Sequence, residues 1–299
     1  MFVMSKNKNM WSALLVMFLW GLLFPLVKLG FSACGVETTA DIMLFAGLRF
    51  VICGGIITAY AALTDRSSFR GIGKKSTDLI LSSGMIAIVL HYTFNYMGLE
   101  LTDSSKTALL KQIGPLLYIC FSFLFVKEDK PTVRKLIAGG MGFLGIIALN
   151  YSAGGVSFGI GDVLILCASV CVVSSSVISK RLYQAMAPVT ATGLSQLFGG
   201  LVLTALGLAT GGSLTLSGTN SLWILGCICA ASTVSYCIWS GVIRRGELSG
   251  LFIIKFSEPV FACLCGAMIL GENIWRLQYL VAFLLISGGI WISNRGKKK

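Results

Sequence analysis

The chain has 299 residues, 56% of them apolar and only 12% charged, which is about half the charged fraction of a soluble protein and excludes an ordinary soluble domain. Its net charge of +12 would suggest nucleic acid in a soluble chain, but most Lys and Arg sit in short loops between apolar spans, where they set orientation, so no nucleic-acid partner is expected. The ten cysteines contain no C-x-x-C and the lone His91 could not complete a zinc site, so no metal or other cofactor is expected and the cysteines read as small apolar residues.

Ten spans long enough to cross a bilayer are predicted at 10–30, 41–63, 76–98, 104–126, 132–150, 159–180, 188–209, 221–243, 248–270 and 275–293. Lipid offers their backbones no other partner, so all are read as helices and the fold class as an all-α membrane protein. Lys6 and Lys8 precede span 1, but its apolar run is long for a signal peptide and it is read as a retained helix. Trp20 and Pro25 in that span either shape a hinge or form a tolerated kink. Arg49, well inside span 2, either lines a cavity or is a structural cation satisfied by helix-end carbonyls.

In span 3, His91 and Asn95 share one helix face, with Tyr92 and Tyr96 beside it; Tyr236 and Trp239 repeat the spacing in span 8. These residues either form an aromatic and amide wall of a pocket or pack between helices. His91 could relay protons. Span 4 holds Lys111 and, four residues on, Pro115; span 9 holds Lys255, Glu258 and Pro259. A lysine inside a membrane costs about 2.5–3.5 kcal/mol on insertion scales and faces a cavity or a partner. Lys255 has Glu258 on the same helix face, which allows an internal ion pair. Lys111 has only Gly114 and Pro115 at those offsets. Its balancing charge is either an anionic substrate group or Glu258 reaching across from the other half. Gly139, Gly142 and Gly145 in span 5 and Gly288 and Gly289 in span 10 favour close packing within the protein. A dimer seam is the alternative, so the chain is read as a monomer or homodimer.

Eighteen of the 24 Lys and Arg fall at the termini or in alternate loops, whereas loops 31–40, 99–103, 151–158, 210–220 and 271–274 contain none and carry Glu37, Glu100, Asp103 and Glu272. Both termini are therefore expected to be cytoplasmic, in a multi-pass protein of the plasma membrane.

Sliding residues 92–150 along by 144 positions aligns them with 236–294 without a gap, with Tyr92/Tyr236, Lys111/Lys255, Pro115/Pro259, Glu128/Glu272 and Asn150/Asn294 identical. Five spans per repeat turn the second copy upside down. The expected domains are 1–150 and 151–299, two inverted five-helix repeats with a binding site near the midplane between them.

These features resemble the drug/metabolite transporter superfamily, in particular proteins with two EamA domains. The resemblance rests on Leu19-Trp20-Gly21, Leu48-Arg49-Phe50, Gly161-Asp162 and the twin P-x12-E segments, and spans nearly the whole chain. It implies a ten-helix inverted repeat, a central cavity and export or exchange of small metabolites. The family position four before each proline is usually uncharged, so Lys111 and Lys255 imply a particular substrate class.

The resulting expectation is a secondary transporter, not an enzyme, working by alternating access on small molecules with a carboxylate or phosphate. Its expected substrate-binding residues are Lys111, Lys255, Glu258, Arg49, His91, Tyr92, Asn95, Tyr236 and Trp239, with Trp20, Pro25, Pro115 and Pro259 as structural or hinge residues. No P-loop is present, so ATP is not the direct energy source; a proton remains open as the coupling ion. The alternatives are a broad exporter of amphipathic molecules, with the lysines neutralised internally, and a non-transporting scaffold or membrane enzyme, which lacks a catalytic constellation.

Overall fold

A computed structural model of the chain describes residues 6–70, 72–121, 132–152, 155–156, 158–216, 218–246, 251, 254–255 and 257–294. Glu128, Lys127, Lys130 and the basic residues from 295 onward lie outside the described residues. Among the described residues six helices are long and apolar enough to cross a membrane, and three shorter apolar helices accompany them.

The elements run in order α1 (Lys6–Cys34), α2 (Thr39–Thr64), α3 (Lys74–Gly84), a π turn (Met85–Leu90), α4 (His91–Glu100), α5 (Ser104–Leu110), α6 (Ile113–Phe121), α7 (Val133–Asn150), α8 (Ile160–Ala185), α9 (Pro188–Ala209), α10 (Thr219–Arg245), α11 (Ser257–Leu270) and α12 (Leu277–Asn294). A short 3-10 turn follows α2. One loop expected to be irregular pairs Tyr151–Ser152 with Gly155–Val156 as a minimal antiparallel hairpin. Pro25 lies inside α1 without interrupting it.

The fourth predicted span is not continuous. Lys111 and Gln112 form a turn between α5 and α6. Pro115 explains the break: it has no N–H for the carbonyl of Lys111 and its ring crowds the preceding turn. Ser169 of α8 takes over, its Oγ donating to Lys111 O at 3.1 Å. An interrupted helix is tolerated at membrane depth where neighbouring side chains satisfy the freed backbone.

Close packing depends on small residues. Helices α2 and α9 run against each other along Gly47, Gly54 and Gly200; a Cβ on Gly54 would stand 2.4 Å from Leu197 N, and one on Gly47 2.4 Å from Thr204 N. Helices α7 and α12 pack similarly, with Gly145 against Ile286 and Gly289 against the Ala138 carbonyl. Gly142, Gly145, Gly288 and Gly289 thus all meet neighbours within the chain.

Glu272, expected as a loop acid and as a marker of the repeat, has a structural task. Its carboxylate accepts hydrogen bonds from Ser104 N at 2.8 Å, Ser105 N at 3.0 Å and Ser105 Oγ at 2.6 Å. It thus caps the start of α5, where backbone N–H groups have no helical partner. Asp103 beside it accepts from Tyr279 Oη at 3.0 Å and lies 3.6 Å from Arg276. Asp162, at the start of α8, pairs with Lys106 at 2.8 Å and accepts from Gly159 N at 3.0 Å.

Candidate functional site

A central cavity of about 120 Å³ opens between α1, α2, the α3–α4 helix, α8, α9, α10 and the α5–α6 turn. That is far more than the roughly 10–15 Å³ one water needs. All nine side chains expected to bind substrate line it, as does Trp20; Pro25, Pro115 and Pro259 do not.

The two lysines differ in their surroundings. Lys255 Nζ lies 3.6 Å from Glu258 Oε2 and 4.8 Å from the centroid of the Trp20 ring. Lys111 Nζ faces the Phe24 ring at 4.9 Å. Among the described residues no carboxylate forms an ion pair with Lys111. Glu258 pairs with Lys255 of its own half and forms no ion pair with Lys111, although its charge also acts on Lys111. Both lysines are buried, at 8% and 5% exposure, so each draws on nearby aromatic faces and the cavity rather than bulk water.

Arg49 is fully buried and its partners are not helix-end carbonyls. Nε and Nη2 donate to Ser232 Oγ at 3.0 and 2.7 Å, and Nη1 donates to Tyr96 Oη. The guanidinium also lies over Phe50 and Tyr92, at 4.8 and 5.2 Å from the ring centroids. Arg49 is thus a cavity-wall cation held by hydroxyls and rings, without an ion-pair partner among the described residues. The Arg49-Phe50 pair has one purpose in two parts: Arg49 reaches Tyr96, and Phe50 packs on Tyr92 at 4.4 Å.

Trp20 and Gly21 divide a similar task. Trp20 Nε1 donates to Ser235 Oγ at 3.1 Å, and its ring packs 5.1 Å from Trp239. Gly21 brings α1 against α11, where a Cβ would stand 2.8 Å from Ala262 N. Tyr92 and Tyr236, at equivalent positions of the 144-residue offset, hydrogen-bond to each other through their hydroxyls. The π turn ahead of α4 leaves Ala87 O beside His91 Nδ1 at 3.3 Å.

Several buried polar atoms in the lining residues have no hydrogen-bond partner among the described residues: His91 Nε2, Asn95 Oδ1, Ser195 Oγ, and both Nε2 and Oε1 of Gln196. Buried polar groups are nearly always paired, and these sealed atoms, in residues that line the cavity, are exceptions. The lining carries three formal cations, Arg49, Lys111 and Lys255, and one carboxylate, Glu258. The arrangement can hold a small molecule with an acidic end among aromatic walls. Sequence reasoning missed Ser83, Ser175, Ser179, Tyr183, Thr192, Ser195 and Gln196, all of which line the cavity. The buried amide of Gln196 inside an apolar span was the one signal that could have found this group.

The pattern of the EamA-like transporter family matches residues 7–151 and again 159–294. The chain is 24% identical to an uncharacterised transporter of Synechocystis, over 97% of this chain and 92% of that protein. It is 23% identical to a probable amino-acid metabolite efflux pump of Salmonella typhimurium, over 97% and 96% of the two. A solved crystal structure, 20% identical, superposes with a TM-score of 0.67 over 95% of this chain and 96% of that one, which shows a shared fold.

Proposed function

The chain belongs to the EamA-like transporter family and is a multi-pass membrane protein, and from that premise we propose a ten-helix secondary transporter for small metabolites bearing a carboxylate or phosphate. It exports them across the plasma membrane by alternating access, with both termini cytoplasmic. The observation that carries the substrate class is Lys111, buried in the cavity wall at a helix break without an ion-pair partner among the described residues. Such a cation is costly in a membrane and an anion offsets the cost. The half-helix ends beside it resemble the broken helices that transporters place at their binding sites.

Three contacts support inverted repeats of 1–150 and 151–299. The equivalent residues Tyr92 and Tyr236 touch. Equivalent residues also contact reciprocally: Gly145 lies against Ala282, and Gly289 against Ala138. Residues related by a two-fold axis meet in this way only close to that axis. The name of the Salmonella relative, an amino-acid metabolite efflux pump, favours carboxylates within the proposed class and export as the direction.

A second reading, a broad exporter of amphipathic molecules, draws on the Lys255–Glu258 pair and on the aromatic lining of Trp20, Tyr92, Tyr236 and Trp239. Flux in proteoliposomes separates the two. With Lys111 and Lys255 both changed to Met, acid transport is expected to stop. Wild-type acid flux in that double variant would sink the first reading and favour the second.

A further inference from the structure

One wall of the cavity carries hydrogen-bonding groups but no charge. Ser195 and Gln196 stand next to each other on α9, 5% and 2% exposed, and both line the cavity. Among the described residues, Ser195 Oγ and both ends of the Gln196 amide have no hydrogen-bond partner. A buried amide unpaired at nitrogen and oxygen is a rare arrangement that a polar occupant would relieve. The backbone there is fixed by close helix contacts. A Cβ on Gly84 of α3 would stand 2.7 Å from Ser195 O, and one on Gly54 of α2 2.9 Å from Gln196 C. The pair therefore cannot be relieved by a small shift of α9. The nearby hydroxyls of Thr192 and Tyr183 already bond to each other at 2.9 Å. The charged lining residues all lie elsewhere, on α2, at the α5–α6 turn and around the start of α11.

We propose that Ser195 and Gln196 form a second subsite, which binds an uncharged hydrogen-bonding end of the substrate. This inference rests on the reading that Lys111 and Lys255 hold the acidic end. The substrates are then short bifunctional acids carrying hydroxyls or an amide, not acids with an apolar tail. The amide of Gln196 offers a donor and an acceptor together, and Ser195 adds a hydroxyl that does either. A site built to bond a substrate hydroxyl or amide rejects the analogue without it, because its own groups are then left unpaired.

The test is binding to the purified full chain, by competition or thermal stabilisation, of two matched pairs: gluconate against hexanoate, and succinamate against pentanoate. Wild-type protein is expected to prefer the polar acid of at least one pair by about tenfold or more; which pair shows it tells hydroxyl from amide recognition. Gln196→Leu is expected to bring that ratio near one without weakening the apolar-tailed acid, and Ser195→Ala to reduce it in part. Equal binding within both pairs by wild-type protein overturns the subsite while leaving the lysine reading intact. A preference unchanged in both variants overturns it as well. If none of the four acids binds, the lysine reading and the subsite fall together. Because the wild-type ratio is measured without any substitution, a variant that fails to fold does not rescue the proposal.

Discussion

Lys111 and Lys255 occupy the same repeat position, yet their surroundings are unequal. Lys255 shares its charge with Glu258 and Trp20, whereas Lys111 has the Phe24 ring and the open cavity. Lys111→Met keeps length and removes charge, so it is expected to abolish binding of acidic substrates in a titration while the protein still purifies as a folded species. Lys111→Arg is not expected to rescue, because a planar fork needs a partner geometry that an ammonium does not. Glu258→Gln leaves Lys255 without its carboxylate in a buried site. Losing one partner of a buried pair costs about 3–5 kcal/mol when the other charge stays unpaired. The expected result is a lower melting temperature together with lost flux; unchanged flux and melting would show that the pair matters to neither. All nine candidate residues line the cavity; a charge, an amide, an imidazole or a polar aromatic ring inside an apolar span stands out in the sequence. The serines and threonines of α8 and α9 did not stand out. Many such hydroxyls simply bond back to their own helix, whether they line the cavity, as Ser176 does while bonding to Val172 O, or not, as Thr204 bonds to Gly200 O, so residue type alone cannot separate a liner from a packed residue.

At the scale of the helix, the apolar run gave the spans but hid the break at Lys111–Gln112. Hydropathy is blind to a proline that frees one carbonyl, and the partner that takes it, Ser169, lies 58 residues away. The role of Glu272 was hidden for a similar reason. Its spacing from Pro259 marks the repeat, but the cap it makes is on Ser104 and Ser105, in the other half of the chain. Removing a cap costs about 0.5–2 kcal/mol. Glu272→Ala is therefore expected to lower the thermal stability of purified protein measurably, more than Glu37→Ala in the loop between α1 and α2. Equal melting of the two variants would show that the Glu272 contacts carry no net stability.

For the molecule as a whole, sidedness ties the site to a direction of transport, and it is also the most directly measurable property of the fold. Loops 31–40, 99–103, 151–158, 210–220 and 271–274 lack Lys and Arg, while the segments alternating with them are rich in both. Positive residues near membrane helices tend to stay on the cytoplasmic side, so in the proposed orientation the loop holding Ser213 is expected outside and the turn holding Arg70 inside. These two segments sit at opposite ends of the α2–α9 pair. Ser213 N donates to Asp41 Oδ1, near the start of α2, at 2.6 Å, whereas Ser68 Oγ, just past the end of α2, lies 2.7 Å from Thr190 Oγ1 at the start of α9. The α2–α9 pair therefore acts as a fixed ruler across the bilayer, and one labelling experiment reads both of its ends. A cysteine at Ser217 is expected to react with an impermeant maleimide in intact cells, and one at Arg70 only after the membrane is opened. The native cysteines make a control necessary, and the unsubstituted chain serves as the blank. The reverse pattern would invert the molecule, and with it the side from which Lys111 and the α9 subsite first meet their substrate.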